Sequence, residues 1–244
     1  KNHDAMVRVA GPFVRELEVS FSNNWNCIRD GAPYAPITIY DETAAMERMQ
    51  MRLQEEGYSS CAGDLTLTSP YLRNTREVLI EKFDAATKSI EVEQLLLNDT
   101  KTLKALARAA KRGVKARLLV DPAKHLYYRD WKGGPNNKAV GMVEELKREH
   151  PELPIELRHY TVAPGQELHV KMCIIDDKIL GMGSTNFSSG AFQSNYELFA
   201  FIEGAGIVGD FSAMFETDWK TRGEPAPKLN LGRKIISIFS DVIF

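Results

Sequence analysis

His169-Val170-Lys171-Met172-Cys173-Ile174-Ile175-Asp176-Asp177-Lys178-Ile179-Leu180-Gly181-Met182-Gly183-Ser184-Thr185-Asn186 decides how this chain folds. It reads H-x-K, four residues, D, six residues, G-S-x-N. The apolar run after Lys171 has the composition of a buried strand. Alternate residues of a strand share a face, so His169 and Lys171 project together. Asp176-Asp177 suits a turn. Lys178 to Met182 then reads as a return strand, and Gly183 allows a tight bend before Ser184 and Asn186. An imidazole, an ammonium, a hydroxyl and an amide are thereby expected around one pocket. Such a set handles phosphate: one group acts as nucleophile or acid, and the others donate to anionic oxygens.

Other chemistries fit less well. Gly181-x-Gly183 lacks the third glycine of a dinucleotide loop, Ser184 is not in G-x-S-x-G, and H-E-x-x-H is absent. The complete spaced set resembles the signature of the phospholipase D superfamily. Asp176 and Gly183 are its structural positions, and Asp176 reads as a turn residue rather than a catalyst.

Composition is that of an ordinary soluble globular chain: 244 residues, 43% hydrophobic and 26% charged. A formal net charge of −2 supplies no global basic field for nucleic acid. No apolar run reaches the length of a membrane span, so a soluble or peripherally membrane-bound protein is expected. The three cysteines form no C-x-x-C and no zinc spacing. No ligand cluster accompanies the motif, so no metal and no cofactor are expected.

Along the chain, residues 1–25 look like the tail of a preceding module. Ala5 to Val9 alternate as a short strand, Gly11-Pro12 breaks it, and Phe13 to Trp25 reads as a helix. Residues 195–219 repeat that order: strand, glycine turn, helix. Phe21 and Trp25 share their F-x-x-x-W spacing with Phe215 and Trp219. With a one-residue shift, Asp4 falls opposite Glu197. Residues 26–74 form a connector containing a helix-like stretch from Asp41 to Glu55 and a strand-like Leu65-Thr66-Leu67.

Residues 75–222 read as the catalytic module. Glu77 to Thr87 is a helix and Ser89 to Leu97 a strand. Leu103 to Arg112 is a helix stopped by Gly113, and Val114 to Val120 a strand. This β-α-β order argues for parallel strands. The expected fold class is therefore α/β: a mixed, largely parallel β-sheet flanked by helices. Val140 to Glu149 is a further helix and Ile155 to His159 a further strand. Tyr127 and Trp131 lie in the loop from Asp121 to Asn137, and such loops at strand ends border active sites. With Gln94, these aromatics are candidate substrate-binding residues. Residues 223–244 read as a stiff linker, Gly223 to Pro227, and an amphipathic tail able to touch a membrane.

The resemblance carries further implications. Many phospholipase D-like enzymes hold two modules in one chain, each with its own H-x-K, and each ending in the strand and helix seen twice here. Only one H-x-K is present in this sequence. The implied partner is a first-module segment carrying the other motif, in the same parent chain or a second chain. The implied chemistry is phosphodiester hydrolysis or transfer through a phosphohistidine. His169 and Lys171 would act directly, with Ser184 and Asn186 beside them. Glu197 would orient His169, and Asp4 would orient the absent histidine. Glu91-Val92-Glu93-Gln94 and Asn195-Tyr196-Glu197 look like lipid-acting members, so a phospholipid substrate is favoured. A dimeric endonuclease of the same superfamily is the alternative, with nucleic acid the less favoured partner.

Overall fold

Alternation along Ser89–Gln94 and the apolar run that follows Lys171 in Lys171–Ile175 place two strands side by side at the centre of an eight-stranded sheet. The computed structural model describes residues 3–31, 55–57, 60–122 and 134–229. In chain order the described elements are α1 (Pro12–Asp30), β1 (Ala62–Thr68), α2 (Thr75–Ala85), β2 (Ser89–Gln94), α3 (Thr100–Lys111), β3 (Lys115–Val120) and α4 (Asn137–Glu149). There follow β4 (Ile155–Tyr160), β5 (Lys171–Ile175), β6 (Ile179–Gly183), α5 (Ser189–Gln193), β7 (Glu197–Glu203), α6 (Ala205–Thr221) and β8 (Gly223–Pro225). The sheet order is β1-β7-β6-β5-β2-β3-β4-β8.

The sheet is mixed but mostly antiparallel, which corrects the expectation of a largely parallel one. Among the described strand pairs, only β2–β3 and β3–β4 are parallel. These are the strands joined by the crossover helices α3 and α4. The motif hairpin folds β6 back on β5, β7 returns beside β6, and both edges, β1 and β8, run antiparallel to their neighbours. A β-α-β pattern fixes direction only for the strands it joins.

Helices cover both faces. On one, Leu79 and Phe83 of α2, Leu103 and Leu106 of α3, and Val140 and Leu146 of α4 join a core with Ile90, Val92, Leu118, Cys173 and Phe199. On the other, Val208, Phe215 and Trp219 of α6 join Leu119, Met172, Ile174 and Leu180. Each fully buried ring or branched chain contributes roughly 1.5–3 kcal/mol of transfer free energy. Local signals set the ends. The Asp99 carboxylate caps α3 by accepting from the Thr102 amide at 2.9 Å. Gly113, at φ 90°, turns the chain out of α3 in a conformation that favours glycine.

Several expectations shift. Residues 5–9 form no strand; only His3 makes a bridge, parallel to Leu168. β5 is already flanked by β2 and β6, so the tail finds partners only just before β5 begins. The strand-like Leu65–Leu67 extends into β1, making part of the connector an edge of the sheet. Gly223–Pro225, read as linker, pairs with β4 as β8. Most of the stretch from Asp41 to Glu55, residues 123–133 of the loop holding Tyr127 and Trp131, and the tail beyond 229 lie outside the described residues. Among the described residues, no helix is long and apolar enough to cross a membrane.

Candidate active site

Two backbone hydrogen bonds build the site. The His3 amide donates to the Glu167 carbonyl at 2.9 Å, and the His169 amide donates to the His3 carbonyl at 2.8 Å. They bring Asp4 beside His169, and Asp4 Oδ1 lies 2.8 Å from His169 Nδ1. This differs from the expected pairing of His169 with Glu197. Glu197 opens β7, which β6 separates from β5. Its carboxylate instead accepts from the Ser184 hydroxyl and, at 3.0 Å, from Asn195 Nδ2. Spacing along the sequence cannot reveal a contact between residues 165 positions apart.

His169, Lys171, Gly183, Ser184, Asn186 and Asp4 line one cleft of about 340 Å³. Lys171 is buried, and its Nζ donates to the His169 carbonyl at 2.6 Å. Burial pushes the ammonium pKa down, against the opposing charges of Asp4, Glu197 and Glu167. Such an ammonium is poorly solvated and gains from an arriving anion. Asn186 Oδ1 is buried without a hydrogen-bond partner. Gln94 pairs in register with Lys171 across β2 and β5, so the two side chains share a face. Its amide is fully buried, and neither of its polar atoms has a partner. Tyr127 and Trp131, the other substrate-binding candidates, lie outside the described residues.

Gly183 has a steric reason. A Cβ there would stand 2.1 Å from the Leu198 carbonyl oxygen and 2.8 Å from Phe199 Cα. Only a hydrogen fits where β6 runs against β7. The close approach lets the Ser184 amide donate to Leu198 O at 2.9 Å, while the Leu198 amide donates to Ser184 Oγ at 3.1 Å. Ser184 is thus tied to β7 and to Glu197.

Asp176 sits at the far end of β5 from His169, with φ 56°. Its carboxylate accepts from the amides of Thr87, Lys88 and Ser89 and from the Thr87 hydroxyl, at 2.7–3.2 Å. Partial burial raises its pKa, but the bonds from Ser89, Thr87 and Lys88 outweigh that and hold it below the usual carboxylate range. It pins the motif hairpin to the start of β2.

An H-x-K beside G-S-x-N, carried on the central hairpin of a mixed α/β sheet, is the arrangement of a phospholipase D superfamily module. The chain belongs to the family described as "Cardiolipin synthase, PLD-like domain", whose profile matches residues 79–219. It is 22% identical over 247 residues to cardiolipin synthase 1 of Bacillus anthracis, covering 98% of this chain and 45% of that protein. The chain thus spans about half the length of the curated relatives it matches. Among solved structures, it is similar to the phospholipase D family member Nuc from Salmonella typhimurium. That likeness has TM-score 0.55 and 21% identity, covering 68% of this chain and 100% of that one. It also resembles phosphatidylserine synthase from Haemophilus influenzae Rd KW20, with TM-score 0.59, 12% identity, 91% of this chain and 59% of that one. These likenesses concern the fold.

Proposed function

We propose that this chain supplies half of a two-histidine active site that moves phosphatidyl groups, by transfer to an alcohol or by hydrolysis. The observation that carries the reading is the His169–Asp4 bond beside Lys171 and Asn186. Nδ1–H donates to the carboxylate, so the Nε2 lone pair is available for proton transfer or attack.

The step balances with two histidines. Nε2 of one attacks phosphorus and forms a P–N bond. The O–P bond to the leaving alkoxide breaks, and the other histidine gives that oxygen its proton. The same histidine then takes the proton of the acceptor hydroxyl, whose oxygen attacks phosphorus and expels the first histidine. Lys171 and Asn186 are suited to hold the non-bridging oxygens as charge develops. In two-module members of the superfamily the first-motif histidine usually attacks, which gives His169 the general acid and base role in that arrangement; in a symmetric dimer of single motifs it can serve either role. A phospholipid is favoured as substrate because the family and the matched relatives are named for cardiolipin synthesis.

The test is a parallel assay with the complementing H-x-K segment present. Phospholipid vesicles, with and without an added alcohol, are compared with single-stranded DNA and RNA. Phosphatidyl release or transfer is expected. Nuclease activity without phosphatidyl release overturns the substrate assignment.

A further inference from the structure

On the α6 face of the sheet, three residues distant in sequence converge: His3 from the tail, Glu93 from β2 and Asp218 from α6. His3 Nε2 lies 2.9 Å from Asp218 Oδ2 and 3.6 Å from Glu93 Oε1, and the three candidate ligand atoms are all within 4.8 Å of one another. Glu93 is the telling member. Its side chain is 0% exposed, it points into this group, and neither carboxylate oxygen has a hydrogen-bond partner. Its neighbour Glu91, on the same face of β2, shows the ordinary solution: Arg117 and Ser89 satisfy it at 3.1 and 3.3 Å. No such donor reaches Glu93 among the described residues. A buried carboxylate left unpaired costs several kcal/mol by general expectation, and a bound cation removes that cost.

We propose that His3, Glu93 and Asp218 bind one first-row divalent cation, best matched by zinc, outside the catalytic cleft. One imidazole nitrogen and two carboxylate oxygens form a borderline donor set that suits zinc better than magnesium, which prefers six oxygens. Tetrahedral zinc with bonds of about 2.0–2.1 Å spaces its ligands roughly 3.3 Å apart. Without the ion, His3 Nε2 and Asp218 Oδ2 share a 2.9 Å hydrogen bond and Glu93 Oε1 stands 3.6 Å from the same nitrogen, so shifts of a few tenths of an ångström give that spacing at His3. The surroundings are those of a supported ligand set. Tyr160 stacks on the His3 ring at 5.2 Å between centroids. The ion would join the tail, β2 and α6. Because His3 precedes Asp4, it would also hold Asp4 against His169.

The experiment uses the untagged chain, stripped with chelator and re-equilibrated with Zn²⁺ or Co²⁺. Metal content is measured by mass spectrometry, and Co²⁺ ligand-field absorption reports coordination. About one ion per chain is expected. Glu93→Gln and Asp218→Asn, each checked for fold by circular dichroism, should lose it. His169→Ala, outside the group, should keep it. A wild-type chain without stoichiometric metal overturns the proposal and leaves Glu93 a protonated core residue. Metal binding equal to wild type in both folded variants overturns it too, by assigning the ion elsewhere.

Discussion

The proposed chemistry needs one ring nitrogen of His169 fixed, and the 2.8 Å contact with Asp4 is at Nδ1. Asp4→Asn keeps the size of the side chain and removes the charge that stabilises an imidazolium. With the complementing segment present, it should lower turnover by roughly 10²–10⁴, the range of general acid–base catalysis. Near-normal turnover in steady-state assays would remove Asp4 from the site. His169→Ala should lose at least as much. Gly183→Ala tests packing: its Cβ would press on the Leu198 carbonyl at 2.1 Å, and that backbone cannot yield without parting β6 from β7. Overpacking of this kind costs about 1–3 kcal/mol, so thermal denaturation should show a lower Tm. Asp176 adds a pH signature. Its folded-state pKa lies below the ordinary range, so it stabilises the fold above the unfolded value of about 3.9 and loses that contribution as pH falls through the folded value. The Tm difference between wild type and Asp176→Asn should therefore be present at pH 7 and shrink below about pH 4. A difference constant down to pH 2 would contradict the assignment.

At the scale of elements, α1 and α6 carry the same aromatic pair in different settings. Phe215 and Trp219 stack at 5.7 Å with rings 22° apart, and Phe21 and Trp25 stack at 6.2 Å, also 22° apart. The α6 pair is buried against the sheet, whereas Phe21 and Trp25 are 68% and 54% exposed. In the proposed two-half arrangement this open aromatic stripe is the face on which the first-module segment docks. Phe21→Ser with Trp25→Ser should leave the chain's own Tm nearly unchanged and abolish co-purification with a first-module segment. Retained association would show that another face makes the contact. The longer helices were legible because apolar spacing and Gly113 as stop act locally, whereas the five-residue α5 offers too short a pattern. The motif hairpin was legible too, since residues two apart on a strand share a face. Strand direction was not, because it depends on which strands meet: two crossovers spoke for β2, β3 and β4 and said nothing of β1, β7 or β8. The same limit hid Asp4 beside His169, and His3 beside Glu93 and Asp218.

At the scale of the molecule, the proposed mechanism puts two histidines in opposed roles at one phosphorus centre, and this sequence holds a single H-x-K. The tail before α1 lends Asp4 to His169, and β7, the matching strand before α6, holds Glu197 on Ser184 and Asn195. If the two repeats are used alike, Glu197 serves the histidine of the other half as Asp4 serves His169. The active species should then be larger than the 27.4 kDa of this chain and should bring a second H-x-K histidine within reach of His169. Native mass spectrometry followed by cross-linking around the cleft measures both. In that species Glu197→Gln should lower turnover by roughly 10²–10⁴ while the His169–Asp4 bond persists. Full turnover by a monomer of these residues alone, or wild-type turnover of Glu197→Gln, would rule out the two-half arrangement.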